Sequence, residues 1–364
     1  MNKDKMFIII TGALIGLLSV LLVQWGNPPN MGFCIACFER DIAGALGLHQ
    51  ARTLQYIRPE IIGLVLGSFA AALILGKFKA EGGSSPLIRF ILGMMVMVGT
   101  LVFLGCSTRM VLRLAGGDLN ALLGSAGFLC GVLMGAFFSK TGSNPNAAVK
   151  QPTMNGWILP ILMVVLLALL LGAKYSSVGE NGPVYFSQTG PGAMQAPIIV
   201  ALAAGLIAGF AMQPTRLCFV GGFLNIFRGK NPYLTFALIA VFLAALIGNL
   251  VTGAFSLGFK PQPIAHTIHL WNFLSMVLVG LGSFMLGGCP MRQLILTGQG
   301  NTDSAISVLG MIIGAALAHN LGLAASPQGV PIQSKFAVIV SLIICCSIAL
   351  VNRKKTDSYS ILKL

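Results

Sequence analysis

The strongest constraint on this chain is a succession of apolar runs, each about 20 residues long, the length of helix that crosses a hydrocarbon core. The runs lie near Met6–Gly26, Glu60–Phe78, Leu87–Gly105, Leu119–Phe138, Gly156–Lys174, Ala196–Met212, Leu234–Gly258, Leu270–Gly288, Ser304–Leu323 and Phe336–Val351. Lipid offers no water to satisfy backbone N–H and C=O groups, so each run must close its own hydrogen bonds as a helix. The expected fold class is an all-α integral membrane protein with about ten transmembrane helices. Composition points the same way. Only 9% of residues are charged and mean hydropathy is +0.87, whereas a soluble chain carries about a quarter charged residues. A water-soluble enzyme is excluded. No solvated basic run is present, so nucleic acid is not an expected partner; the lipid bilayer is.

Lys and Arg outnumber Asp and Glu by 23 to 9. In a membrane protein such an excess first marks cytoplasmic loops, and only then an anionic substrate. With a cytoplasmic N-terminus, inside segments hold 15 of the basic residues and outside loops 8, which favours both termini in the cytoplasm. Arg353-Lys354-Lys355 contributes most. The first run follows Lys3 and Lys5, as in a signal peptide, but it is too long and Gly-Asn-Pro-Pro offers no cleavage site. It reads as a retained helix.

The chain also repeats itself. Gly105-Cys106-Ser107-Thr108-Arg109 answers Gly288-Cys289-Pro290-Met291-Arg292 at an offset of 183. At that offset Gly99, Gly117, Gly127 and Gly131 match Gly282, Gly300, Gly310 and Gly314. Cys34 answers Cys218, and Asp41 answers Asn225, at 184. Four spans per copy and one joining span displace the second copy by an odd number of crossings, so it lies upside down. The expected organisation is a first inverted repeat over 1–138, a linker with one span over 139–195, a second repeat over 196–323, and a terminal span with a basic tail over 324–364.

Within each copy, two segments are too short to cross and too apolar for solvent: Phe33–Leu48 and Cys106–Ala115, then Leu217–Phe227 and Cys289–Thr297. Re-entrant half-helices fit, since irregular backbone at membrane depth survives only inside protein or along a polar path. They are expected to meet at the centre with a cysteine near each N-terminal end, where free N–H groups and the helix dipole favour an anion. Cys106 and Cys289 lead the candidates for lining such a path, followed by Cys34 and Cys218. Cys37 adds a Cys-x-x-Cys spacing that lacks a second ligand pair for zinc; a disulfide there needs an oxidising environment. Cys130, Cys345 and Cys346 have no repeat partner and read as small apolar residues.

Arg109 and Arg292 follow their cysteines by three positions, beside Gly105 and Gly288, and so share a helical face with them. Each either supplies a positive field for an anion or braces the half-helices by pairing with Asp118, Asp303 or carbonyls. The four histidines, His49, His266, His269 and His319, show no ligand spacing and read as loop or interface residues. No metal or cofactor is expected, and without a Walker motif ATP-driven transport by this chain alone is excluded.

Inverted halves with a Gly-Cys-x-x-Arg element in each resemble the YeeE/YedE family of bacterial inner-membrane transporters. The string from Trp25 through Leu48, followed by Arg58-Pro59-Glu60, is similar to the branch associated with selenium metabolism. The resemblance implies an hourglass-shaped importer of thiosulfate or a selenium-containing anion, multi-pass in the inner membrane. It places the thiols that pass the anion along at Cys34, Cys106 and Cys289. The additional Cys37 and Cys218 depart from that pattern. Two rival readings stand beside the transporter. One is a membrane redox or sulfurtransferase protein that forms a persulfide or selenium adduct on a central cysteine. The other is a scaffold for a small cytoplasmic sulfur- or selenium-carrier protein, itself a candidate partner of the transporter.

Overall fold

The computed structural model describes residues 3–139, 149–175, 184–228 and 232–361. The remainder includes Met1, Leu364 and parts of both connections around the joining span, so those expectations fall outside the described residues. The elements are α1 (Lys3–Gln24), α2 (Ile35–Ala45), α3 (Pro59–Ile74), α4 (Pro86–Phe103), α5 (Ser107–Ala115), α6 (Asn120–Ser139), α7 (Thr153–Tyr175), α8 (Ile198–Thr215), α9 (Phe219–Arg228), α10 (Tyr233–Val251), α11 (His269–Met285), α12 (Pro290–Gly298), α13 (Thr302–Asn320) and α14 (Ile332–Ile361). A two-residue pairing of β1 (Glu81–Gly82) with β2 (Val149–Lys150) is the sheet content among the described residues.

Nine helical stretches among the described residues are long and apolar enough to cross a membrane. The second expected span differs: α3 has 16 residues and stops at Ile74, short of Phe78. Leu75 to Phe78 leave the helix there, and the Lys77 and Phe78 N–H groups both bond back to the Ala72 carbonyl. Pro59, Pro86 and Pro290 each open a helix, where the missing N–H costs nothing.

The packing is reciprocal between the two halves. Helix α3 runs along α8 while α1 runs along α10; α6 lies on α11 while α13 lies on α4; α12 meets α3 while α5 meets α10. An isologous two-fold relation demands such exchanged pairings. Consequently neither half stands as a separate body, since the longest contacts of each are with the other. Glycine makes them close. A Cβ at Gly127 would fall 2.2 Å from the Phe273 carbonyl, and at its repeat mate Gly310 2.3 Å from that of Phe90.

Loops gather on two faces. On one, Tyr185 N–H bonds to the Ala45 carbonyl and Leu119 N–H to that of Gly258. On the other, Lys79 N–H bonds to the Gln299 carbonyl and Gln151 N–H to that of Ala80. The C-terminal ends of α2 and α5 therefore reach the first face and that of α12 the second, leaving their N-terminal ends inside.

Candidate anion site

Each of α2, α5, α9 and α12 opens on a cysteine. The carbonyls of Cys34, Cys106, Cys218 and Cys289 accept the first helical bond from Phe38, Met110, Gly222 and Gln293 at 2.8–3.0 Å. Ser, Thr, Asp and Asn dominate this position because their side chains cap the free N–H groups. Cys34, Cys106 and Cys289 make no side-chain cap bond. The positive ends of these helices thus lack the usual protein-supplied acceptor.

The Gly-Cys-x-x-Arg spacing has a local cause. A Cβ at Gly105 would sit 2.9 Å from Arg109 Cδ, and one at Gly288 2.8 Å from Arg292 Cγ. The bare glycine lets each arginine fold back across the turn that precedes its half-helix. Leu104 holds a left-handed φ of +63° there, where Gly287 holds +78°. The openings of α5 and α12 touch through equivalent positions: Thr108 Oγ1 donates to Met291 Sδ at 3.7 Å, residues 183 apart.

The two arginines then part company. Arg109 is fully buried and donates to the carbonyls of Leu104, Pro263 (3.4 Å) and Ile264 (3.3 Å). Neither arginine pairs with the expected carboxylate. Asp118 is held by Arg113 at 2.7 Å, and Asp303 by Arg89 at 3.7 Å. Arg113 lies one helical turn beyond Arg109 and packs its guanidinium 4.3 Å from the Phe103 ring centre, which brings it and not Arg109 to Asp118. Arg292 is 8% exposed, has no carboxylate partner among the described residues, and buries Nη1 without a hydrogen bond. It lies near enough to Cys218 and Cys289 to interact with both sulfurs.

The cysteines divide likewise. Cys218 and Cys289 lie close enough across the openings of α9 and α12 for their sulfurs to interact. Cys34 is joined to Cys37 by a disulfide at the opening of α2, and Cys106 is a buried free thiol. Cys218, which ranked last of the four in the sequence, is therefore in direct contact with a leading candidate. Its repeat relation to Cys34 was the signal. Cys345 is buried and Cys130 exposed, each in an ordinary span.

Sequence reasoning did not single out a charged cluster in α2 and the loop after it. Asp41 is clasped by Arg40 and Arg58, each at 2.7 Å, and Arg58 also donates to the carbonyls of Pro191 and Met194. Glu39 is fully buried beside them in sequence. Glu-Arg-Asp inside an apolar segment was the available cue, since ionisable groups at membrane depth are retained for a purpose. No group of three or more metal-ligating side chains occurs among the described residues.

Fold and half-helix ends together define a multi-pass membrane protein whose interior presents helix N-termini, thiols and an uncompensated cation. Comparison with known proteins narrows the class. Residues 214–351 match the family model described as "Sulphur transport". The chain is 30% identical over 217 residues to the malate transporter MleP of Lactococcus lactis subsp. lactis (strain IL1403), covering 56% of this chain and 47% of that one. It is 26% identical over 120 residues to the thiosulfate transporter TsuA of Escherichia coli (strain K12), covering 33% and 34%. The chain thus spans about half, or less, of the length of these relatives.

Proposed function

We propose that this protein imports a small sulfur- or selenium-containing anion, thiosulfate in the first instance, across the bacterial inner membrane without a cofactor. The observation that carries the reading is Arg292: a buried guanidinium with an unpartnered Nη1, set beside the Cys218–Cys289 thiol pair at the meeting of two half-helix N-termini. Thiosulfate and its selenium analogues join anionic oxygens to a soft chalcogen. The guanidinium and helix ends suit the oxygens; neutral thiols donate weak hydrogen bonds to the soft atom. Cys34, Cys106, Cys218 and Cys289 would line the path, with Cys37 controlling the first of them. Several weak contacts let the anion leave as readily as it enters. The likeness to a thiosulfate transporter and to a second anion transporter supports this reading.

The charge bias favours both termini in the cytoplasm, and the five-span displacement of the second copy favours inverted repeats. A membrane potential, negative inside, opposes entry by about 2.3 kcal/mol per charge per 100 mV, so a dianion must be driven. A small cytoplasmic sulfur- or selenium-carrier protein is the partner that would receive the cargo. The thiol pair also permits a sulfurtransferase reading, in which the Cys289 thiolate takes the outer sulfur of thiosulfate as a persulfide, the thiosulfate S–S bond breaks and sulfite leaves. One experiment separates them: vesicles carrying the protein should accumulate intact radiolabelled thiosulfate, and Arg292→Gln should cut that accumulation about 10- to 100-fold. A covalent label on Cys289 with no accumulated anion would favour the enzyme.

A further inference from the structure

Glu39 lies in the second turn of α2, fully buried, and neither carboxyl oxygen has a hydrogen-bond partner. Apart from Arg292, the charged groups on α2 and on the helices packed against it are engaged elsewhere. On its own helix, Arg40 binds Asp41, which also holds Arg58. Among the elements packed against α2, α13 brings Asp303, which pairs with Arg89 of α4, and His319, whose ring stacks near that of His49. Helix α3 brings Glu60, which accepts from Asn27 at 2.7 Å, and α12 brings Arg292, which has no carboxylate partner. No cation, Arg292 included, forms an ion pair with Glu39 among the described residues, so an ionised Glu39 would be a buried unpaired charge and the surroundings accommodate the neutral acid.

The repeat shows that the fold does not require a carboxyl there. At the offset of 184, Glu39-Arg40-Asp41 of α2 correspond to Phe223-Leu224-Asn225 of α9. Phe223 packs against Phe128 of α6, ring centres 5.4 Å apart, and α9 lies on α6 as α2 lies on α13. An apolar side chain serves the same packing position in the second half. A carboxyl without a partner, in a place that an aromatic ring can fill, is kept for the proton it carries.

We propose that Glu39 is the proton-carrying site that couples anion entry to an inward proton gradient: its carboxyl takes a proton from outside and releases it inside in each cycle. The proposal rests on the anion-import reading; the proton offsets one of the dianion's two charges and adds about 1.4 kcal/mol of drive per unit of acid-outside pH difference.

The test uses the full chain in proteoliposomes with radiolabelled thiosulfate. Counterflow at equal pH comes first; its absence in the wild type removes the import reading and the coupling with it. Given counterflow, one coupled proton raises the accumulation ratio about tenfold per imposed unit of acid-outside pH difference. Glu39→Gln, a neutral isostere, should keep counterflow within about twofold while its accumulation no longer follows the pH difference. Glu39→Asp should restore the response. A wild type that exchanges thiosulfate but ignores the pH difference overturns the proposal, as does an unaltered response in Glu39→Gln. Thiosulfate-driven acidification of the lumen, read with trapped pyranine, checks the wild type independently of any variant; lumenal pH that stays constant during uptake overturns it too.

Discussion

The first pair of half-helices, α2 and α5, and the second pair, α9 and α12, start from the same plan and carry different chemistry. In the first, Cys34 is tied to Cys37, Arg109 is absorbed by three backbone carbonyls, and the charges of Glu39, Arg40 and Asp41 occupy α2. In the second, Cys218 and Cys289 remain thiols in contact, and Arg292 faces them without a carboxylate. Helix ends and glycines serve both pairs alike, because backbone geometry sets them. Side chains away from that geometry were free to diverge, and they did. One side carries an open cation with soft donors, the other a closed charge network with a lone carboxyl.

The largest expected effect concerns the carboxylates. Asp118 holds fully buried Arg113 at 2.7 Å, while Asp303 meets half-buried Arg89 at 3.7 Å. Breaking a buried pair costs about 3–5 kcal/mol, and a partly exposed one about 1 kcal/mol or less. Asp118→Asn should therefore lower the melting temperature in detergent far more than Asp303→Asn. Equal losses would mean that the two ends are braced alike.

Next come the arginines. A hydrogen bond to a charged group is worth about 1.5–3 kcal/mol, so Arg292→Gln should cut thiosulfate uptake by about 10- to 100-fold at normal membrane levels. Arg109→Gln should act through yield instead, because it strands the carbonyls of Leu104, Pro263 and Ile264. Wild-type uptake by inserted Arg292→Gln would end the distinction drawn between the halves.

The cysteines follow. Cys218→Ser and Cys289→Ser each remove one soft thiol donor, worth about 1 kcal/mol per hydrogen bond to the anion, and should slow uptake about fivefold with little change in folding. Cys130→Ser and Cys345→Ser should leave uptake intact. The same rate in all four would assign anion selection to Arg292 and the helix ends alone.

The smallest effect concerns a feature the halves share. His49 Nε2 donates to the Arg40 carbonyl and His266 Nε2 to that of Val102, while each Nδ1 accepts from a backbone N–H two residues on. Both lie in loops, and burial first of all holds both imidazoles below their ordinary range. Below about pH 6.5 the unfolded imidazoles take up protons before the folded ones do. The stabilisation is thus complete above that pH and is lost as pH falls. Melting temperature should decline modestly between pH 7 and 5, and less steeply in a His49→Gln, His266→Gln double variant. A decline of equal slope in that variant would assign the loss to other groups.

Spans and half-helices were legible because hydrophobic length and Gly-Cys-x-x-Arg spacing are local properties that survive without a fold. The expected cysteines do open α2, α5, α9 and α12, and Cys34, Cys106 and Cys289 do so within one residue of the expected segment starts. The partners of the charges were not legible. Asp118 and Asp303 looked equally available to Arg109 and Arg292, and only the packing of Phe103 against Arg113 and the proximity of α4 to α13 settled who met whom.

The sequence by itself determined that the chain is a bundle of apolar helices interrupted by short cysteine-headed segments, since burial of backbone polar groups in lipid leaves no alternative. Tertiary structure decided which cation stays free, which cysteines meet and which carboxyl stands alone. Those outcomes depend on contacts between residues far apart in the chain, such as Cys218 with Cys289 and Arg58 with Met194. Spacing constrains a residue only within its own helix; the neighbours it meets exist only once the two halves have exchanged their packing partners.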